Sequence, residues 1–212
     1  MAQSRHHLCP PQPPALIRSP FSVRSAGQSC EGASQCRGPT IQTAVHQIGI
    51  LEALAAYDPH VAGTPPLGVD TLTSDIDILC CAPDDEAFVA DVLRFYGEMS
   101  GFRIWQWVSK DRPVIATFRA CGWDFEIFAS PLPVAEQFGW RHFEMERRLL
   151  GLGGDGFKSA IQALRRQGLK TEPAFWSALG QEGDAYLGLL SLEQATDDEL
   201  RAKLEAAGFG SS

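Results

Sequence analysis

A short apolar run that begins at two acidic residues constrains the fold more than any other feature of this chain. Residues 63–79 read GTPPLGVDTLTSDIDIL, and Asp75 and Asp77 stand where a buried strand over residues 76–81 begins. Residues two apart in a strand share a face, so both carboxylates project from the same side. At about 5 Å apart they would repel by roughly 3 kcal/mol at an effective dielectric constant of about 20. The two charges must therefore be stabilised by solvent, by hydrogen bonds to a neighbouring loop that the carboxylates cap, or by a bound cation.

Helical patterns flank this strand on both sides along the chain. Apolar residues recur at helical spacing over residues 41–54, and the helix must end before Asp58 because that residue precedes a proline. A short extended segment around Val61 follows. Residues 83–99 begin with a proline and acidic residues, which is typical of a helix start.

The remainder divides into a β-rich segment and a helical one. Turn signals separate three extended stretches that predict an antiparallel meander, over residues 102–109, 113–119 and 123–129. From Val134 the pattern is helical, and the last helix starts at a capping box of Thr196 and Glu199 and stops at Gly208. The sequence therefore predicts an α+β fold, a small mixed sheet with flanking helices and a helical C-terminal half.

Residues 1–40 differ in composition from the rest of the chain. They contain six of the fourteen prolines, six serines, four arginines and one glutamate, with almost no periodic apolar pattern. Such a segment cannot bury enough surface to offset the entropy of ordering, so we expect a disordered leader before a domain of residues 41–212. Transit peptides have a similar composition, but no amphipathic helix is visible here.

The charge of residues 41–212 limits the classes of partner. These residues include 14 basic and 25 acidic side chains, a net charge of −11, so we expect general nucleic-acid binding to be disfavoured. No stretch approaches the roughly 20 apolar residues of a membrane-spanning helix. The cysteines have neither zinc-site spacing nor the pattern of a secreted disulfide framework. These features favour a cytoplasmic protein without a membrane partner.

A turn upstream of the two aspartates adds a second element to the candidate site. Gly63 and Thr64 stand twelve and eleven residues before Asp75. A small residue followed by a hydroxyl allows backbone N–H groups to approach phosphates closely. The turn and the carboxylates together suggest a site for a phosphorylated ligand and a hard cation.

A later strand supplies a third carboxylate. The segment WDFEIF places Asp124 and Glu126 on one face, and either acid could complete a metal site beside the D-x-D pair. Ile127 and Phe128 follow Glu126 and predict that its carboxylate is the more enclosed of the two. We therefore expect Glu126 to bind metal and Asp124 to lie nearer water.

These elements together resemble the nucleotidyltransferase superfamily, whose pattern is a Gly-Ser or Gly-Thr turn, a D-x-D strand and a third acid on a following strand. The segments YDPHVAGTPPLGVDTLTSDIDIL, EIFASPLPVAEQFGWRHFEMERRLL and GLKTEPAFWSALG also resemble a family of unknown function grouped with that superfamily. This resemblance favours Glu126 over Asp124. It draws attention to further residues without assigning their roles: Gln137, Arg141, His142, Glu146, Lys170, Thr171 and Glu172.

Local patterns give some of these residues a simpler interpretation. On a helix over residues 134–150, Arg141 could reach a phosphate or pair with a nearby glutamate, while His142 lies beside apolar neighbours. Lys170 follows a helix end, where a cation is favourable in any case. The predicted nucleotide-binding residues are Gly63, Thr64, Ser74, Arg141 and Lys170.

The glycine-rich stretch GLGGDGFKS, residues 151–159, nearly matches a phosphate-binding loop. Phe157 stands where that loop needs its lysine, and the stretch follows a helix rather than a strand. We interpret it as a flexible connection between helices.

The sequence thus predicts a nucleotidyltransferase-like enzyme, dependent on Mg²⁺ or Mn²⁺, that transfers a nucleoside monophosphate from a nucleoside triphosphate to a small-molecule or protein acceptor. Its predicted catalytic and metal-binding residues are Asp75, Asp77 and Glu126. The alternative is a non-catalytic nucleotide-binding or regulatory module of the same fold, since the prolines at 65 and 66 lack the N–H groups that phosphates need. A structural protein with incidental acids is a third class.

Overall fold

A mixed five-stranded sheet forms the centre of the computed structural model, which describes residues 38–108 and 111–210. The strands are β1 (His60–Ala62), β2 (Ile76–Cys81), β3 (Ser100–Gln106), β4 (Val114–Ala120) and β5 (Trp123–Ser130). Their order in the sheet is β1-β2-β5-β4-β3. β2 runs parallel to β5, whereas the other neighbouring pairs are antiparallel. The predicted strand over residues 76–81 and the predicted meander are confirmed.

Helices surround this sheet and form most of the C-terminal half. They are α1 (Ile41–Ile48), α2 (Ile50–Ala53), α3 (Thr64–Leu67), α4 (Asp85–Tyr96), α5 (Phe138–Arg166), α6 (Thr171–Ala178), α7 (Ala185–Ser191) and α8 (Asp197–Ala206). The first predicted helix is divided in two, because the left-handed backbone of Gly49 separates α1 from α2. The capping box of Thr196 and Glu199 begins α8 as predicted. Within the described ranges, no helix has the length and apolar character needed to cross a membrane. The α+β prediction is confirmed.

One face of the sheet is closed by an apolar core. Ile76 and Ile78 of β2 point into it and are fully buried. Aromatic rings of α4, β4 and β5 stack there, with centroid distances of 4.9 Å from Tyr96 to Phe118 and 5.2 Å from Phe118 to Phe125. Residues of α1, α2 and α4 complete this core. We call this side of the sheet the closed face.

The opposite side, which we call the site face, packs against the C-terminal helices. Leu79 and Cys81 of β2 belong to a second core that includes apolar residues of α5, α6, α7 and α8. Asp77 stands between Ile76 and Ile78 along β2, and side chains alternate along a strand, so its carboxylate lies on the site face. The helical half therefore lies over the part of the sheet that carries the predicted acids.

The glycine-rich stretch lies within α5, at a kink where two helices meet. The helix bends at Gly154, whose φ of 63° and ψ of −161° are non-helical values that glycine tolerates. Just beyond the bend, Phe157 is fully buried, and its ring packs edge-on against Phe175 at 5.7 Å and Phe209 at 5.1 Å. The predicted connection between helices is therefore confined to the kink at Gly154, and the helix continues beyond it because the burial of Phe157 outweighs the low helix propensity of its glycine neighbours.

The predicted leader lies outside the described residues except for its last three positions. The carbonyl oxygen of Pro39 accepts a hydrogen bond from Trp123 Nε1 at 2.9 Å. Thr40 caps α1, with its Oγ1 accepting from the backbone N–H of Thr43 at 3.3 Å. Residues 38–40 therefore make contacts with the domain that follows them.

Candidate active site

A cavity of about 260 Å³ lies between the site face of the sheet and the helical half. It is lined by the turn after β1, the segment that enters β2, both ends of α5 and the start of α6. Its polar and charged lining residues are Thr64, Thr73, Ser74, Asp75, Asp77, His142, Glu146, Arg165, Thr171 and Glu172. The fold thus brings the predicted turn and D-x-D pair together with residues from the C-terminal half.

Asp77 and Glu126 lie side by side on neighbouring parallel strands. Asp77 of β2 is in register with Glu126 of β5, and on its other side with Ala62 of β1. Asp75 precedes β2 directly and lines the cavity together with Asp77. Glu126 does not line the cavity, but adjacent strands are only about 4.8 Å apart. The three predicted acids are therefore close neighbours.

Negative charge accumulates at these acids. None of the ion pairs between described residues includes Asp75, Asp77 or Glu126. Burial raises the pKa of Asp77 to about 8, with the charges of Asp75, Glu126 and Glu172 acting in the same direction. Burial and then the charge of Asp75 also raise the pKa of Glu126. The ionised forms are thus destabilised, and a bound cation would favour them.

Asp124 occupies a different setting from Glu126. Its Oδ1 accepts from Arg119 Nε at 2.6 Å, and the side chains of Asp124 and Arg119 are 60% and 73% exposed. Arg119 is also its register partner on β4. The position beside Asp77 belongs to Glu126, which agrees with the preference for Glu126 drawn from the sequence.

The turn at Gly63 lies directly against Asp77. Gly63 has a φ of 78°, and a Cβ at this position would overlap a carboxylate oxygen of Asp77. Only glycine combines this conformation with so close an approach. Thr64 Oγ1 donates to Ser74 Oγ at 3.0 Å, and Ser74 Oγ accepts from the N–H of Thr71 at 2.9 Å. Gly63, Thr64 and Ser74 are therefore brought together at the cavity.

Two prolines follow this turn within α3. Pro65 and Pro66 occupy the first turn of the helix, where an N–H has no helical acceptor, so they do not disrupt it. Neither proline can donate to a phosphate. The turn offers the N–H groups of Gly63 and Thr64 but none from the next two residues.

The wall of the cavity formed by α5 and α6 carries further polar groups, which we call the helical wall. His142 and Glu146 lie one turn apart on α5 and are buried, with 8% and 4% exposure. Glu172 lies in the first turn of α6. Arg165 Nη1 donates to the carbonyl of Leu169 at 2.9 Å, while its Nε is buried without a hydrogen-bond partner. Arg165 was not predicted, because nothing near it in sequence distinguishes it from other basic residues at a helix end.

Other predicted residues lie away from the cavity. Arg141 Nε and Nη2 donate to the two carboxylate oxygens of Glu193 at 2.8 and 2.5 Å, which ties α5 to the segment after α7. Lys170 is exposed directly before α6 and does not line the cavity. Gln137 Nε2 donates to the carbonyls of Cys80 and Leu132 at 2.8 and 2.9 Å. The hydrogen bonds of Arg141 and Gln137 thus connect separate elements of the fold.

The donor chemistry of the acidic cluster suits a hard divalent cation. Mg²⁺ and Mn²⁺ prefer carboxylate oxygens, and Asp75, Asp77 and Glu126 supply three carboxylates without paired cations. As the side chains stand, no group of three acidic, histidine or cysteine residues in the described ranges is positioned to hold a metal ion. Binding would therefore require these carboxylates to rotate toward a common ion.

Comparison with known proteins gives a family match and distant structural likeness. Residues 43–192 match the model of the family described as Domain of unknown function (DUF4269). No curated protein matches the sequence. Among solved structures, a GLD-2/RNP-8 complex is 11% identical with a TM-score of 0.46, and the match covers 66% of this chain and 57% of that chain.

Two further solved structures have similarly low sequence identity and TM-scores. A Cid1 poly(U) polymerase with bound MgGTP is 12% identical with a TM-score of 0.45, over 70% of this chain and 46% of that chain. The polymerase core of TRAMP is 16% identical with a TM-score of 0.40, and the match covers 78% of this chain and 55% of that chain. The chain spans about half the length of these proteins, and such values support no statement about activity. The expectation that general nucleic-acid binding is disfavoured stays a prediction.

Proposed function

The chain belongs to the DUF4269 family, and we propose that it is a metal-dependent nucleotidyltransferase-like enzyme that transfers a nucleoside monophosphate from a nucleoside triphosphate to an acceptor hydroxyl. The register of Asp77 beside Glu126 is the observation that carries this proposal. Asp75 and the Gly63 turn at the same cavity support it. Clustered carboxylates without paired cations suit a complex of a divalent metal with a triphosphate.

Different residues of the chain would bind the metal ion and the phosphates. Asp75, Asp77 and Glu126 would hold Mg²⁺ or Mn²⁺, which neutralises phosphate charge and orients the reacting oxygens. Gly63 and Thr64 bind the outer phosphates through backbone N–H groups and a hydroxyl that Ser74 keeps in place. Roles in nucleotide binding for Arg141 and Lys170 stay predictions, since neither residue lines the cavity.

The proposed reaction is an in-line displacement at phosphorus. The acceptor hydroxyl oxygen attacks the α-phosphorus and forms a new P–O bond. The bond from the α-phosphorus to the bridging oxygen breaks, pyrophosphate leaves with its electron pair, and the hydroxyl proton passes to solvent. The chain contributes positioning and electrostatic stabilisation rather than covalent chemistry.

A non-catalytic nucleotide-binding or regulatory module of the same fold is the alternative. Pro65 and Pro66 remove two backbone donors from the phosphate-binding turn. The acids of the described residues also do not converge on a single ion as they stand. Such a module would bind a nucleotide and release no pyrophosphate.

The test combines nucleotide binding with pyrophosphate release. Each of the four ribonucleoside triphosphates is titrated with and without Mg²⁺, and pyrophosphate is measured with small-molecule, protein and RNA acceptors. We expect Mg²⁺-dependent binding and release that Asp77→Asn abolishes and the matched variant Asp124→Asn retains. Binding without release in every acceptor series would favour the module, and no binding at all would favour a structural protein.

A further inference from the structure

The helical wall carries acids that the proposed metal chemistry does not use. Glu146 of α5 is only 4% exposed and lines the cavity. No hydrogen bond or ion pair between described residues reaches its carboxylate. A buried carboxylate without a partner is costly, and native structures satisfy such groups with protein, water or ligand. The carboxyl group of Glu146 is therefore available to a ligand in the cavity.

A second buried side chain on the same wall also lacks a partner. His142 lies one helical turn before Glu146, is 8% exposed and lines the same cavity. Its Nδ1 is buried without a hydrogen-bond partner. Burial lowers the pKa of His142, so its ring is neutral near pH 7 and has one nitrogen free to accept a hydrogen bond. His142 Nδ1 and the Glu146 carboxyl group are thus neighbouring groups at the cavity that have no hydrogen-bond partner among the described residues.

The charges around the cavity indicate the sign of a ligand that this wall would bind. Burial, followed by the charge of Glu172, raises the pKa of Glu146 well above its ordinary value. The charge of Glu172 also raises the pKa of Asp77, so Glu172 is within electrostatic range of both walls. The charge of Arg165, the cation among the lining residues, acts on the pKa of Glu146 in the opposite direction, although Arg165 forms no ion pair with Glu146 or Glu172 and its Nη1 donates to a backbone carbonyl. The helical wall thus carries two acids and one cation, and a second positive charge bound there would favour the ionised form of Glu146.

We propose that Glu146, Glu172 and His142 form an acceptor subsite for the primary ammonium group of a small hydroxyl-bearing amine. This inference rests on the proposed nucleotidyl transfer and names its acceptor class. An ammonium supplies both the positive charge and the N–H donors that these three side chains accept. A cavity of about 260 Å³ that also receives phosphates has room for one charged end of a small molecule. The hydroxyl of that molecule then attacks the α-phosphorus.

Binding of matched charged and neutral probes to the metal-free protein tests the subsite without relying on catalysis. Glucosamine is compared with glucose, and ethanolamine with ethylene glycol, by calorimetric titration at low ionic strength. We expect each amine to bind at least tenfold more tightly than its neutral counterpart. Glu146→Gln and Glu172→Gln should each reduce that preference at least fivefold. Glu144→Gln, on the same helix but paired with Arg147 and outside the cavity, should leave it unchanged.

The nucleotide titration separates failure of this inference from failure of the proposed function. Equal binding of amines and neutral probes by the wild-type protein, with Mg²⁺-dependent nucleotide binding intact, overturns the ammonium subsite alone. An unchanged preference in both glutamine variants overturns it as well. An amine preference that Glu146→Gln removes, in a protein that binds no nucleotide, refutes nucleotidyl transfer and retains an amine-binding site.

Discussion

The closed face and the site face of the sheet share the same strands but differ in what their side chains do. Along β2, Ile76 and Ile78 are fully buried on the closed face, whereas Asp77 between them faces the cavity. Burial of an isoleucine stabilises the fold by roughly 2–3 kcal/mol. Burial of the Asp77 carboxylate has the opposite effect, since its pKa is raised to about 8. Along β2, the isoleucines therefore stabilise the fold, whereas Asp77 between them places a destabilising charge at the cavity.

This difference indicates which residues can be substituted without unfolding the protein. The closed face is packed with apolar side chains from helices and strands and tolerates loss of volume poorly. The site face contains a cavity whose lining acids lack partners among the described residues, so neutralising one of them removes repulsion. Substitutions on the two faces should accordingly affect stability and activity in opposite ways.

The largest expected effect follows from Asp77→Asn on the site face. We expect loss of nucleotidyl transfer by several orders of magnitude, because the residue at the centre of the acidic cluster no longer binds metal. The metal-free protein should be as stable as wild type or more so. Initial rates of pyrophosphate release and thermal unfolding measure the two effects, and a lower melting temperature with unchanged Mg²⁺ affinity would show that Asp77 is a structural residue.

The stability gain of Asp77→Asn should also depend on pH. Since burial raises the pKa of Asp77 in the folded state from its ordinary value of 3.8 to about 8, its cost to stability grows as the pH rises from about 4 to about 8. The variant should therefore gain more stability over wild type at pH 8 than at pH 5. Urea unfolding at the two values measures the difference.

The next effect distinguishes two acids on a single strand. Glu126→Gln should reduce turnover by orders of magnitude with little change in stability, because Glu126 lies beside Asp77. Asp124→Asn should lose only the exposed pair with Arg119, about 0.2–1 kcal/mol, and retain turnover. Steady-state kinetics of both variants decide the assignment. Greater loss of turnover in Asp124→Asn would transfer the metal-binding role to Asp124.

Ile78→Ala makes the reciprocal change on the closed face. Removal of this fully buried side chain should destabilise the protein by about 2–5 kcal/mol through lost burial and an unfilled cavity. Nucleotide affinity and turnover per folded molecule should stay near wild type, since the side chain points away from the site. Denaturant unfolding and active-site titration test this expectation, and a selective loss of turnover would mean that the two faces are coupled.

The smallest effect concerns the segment that precedes α1. From its composition, deletion of residues 1–40 is predicted to leave folding and nucleotide binding intact. The contacts of Pro39 and Thr40 sharpen this prediction, because loss of the Thr40 cap alone costs about 1 kcal/mol. We expect deletion of residues 1–37 to leave the melting temperature unchanged and deletion of residues 1–40 to lower it slightly. A large decrease with the shorter deletion would contradict the predicted disorder.

Local sequence rules predicted most elements of the fold. The apolar run of β2, the meander and the capping box at Thr196 depend on the side-chain period of a strand, on turn residues and on capping hydrogen bonds. Each involves residues close in sequence. At residues 151–159 the glycines predicted a connection between helices, which the structure confines to a kink at Gly154, because distant partners bury Phe157 just beyond it.

In the candidate site, too, some features follow from local sequence and others depend on distant parts of the chain. The spacing of Asp75 and Asp77 by itself determined that both carboxylates share a face, because that follows from strand geometry. Only the tertiary structure decided that Glu126 stands beside Asp77 and that Asp124 pairs with Arg119, because register depends on which strands pair. The positions of Glu146, Glu172 and Arg165 around one cavity, and of Arg141 outside it, depend on how α5 and α6 pack against the sheet. Such packing is a property of the whole folded chain, and no local pattern encodes it.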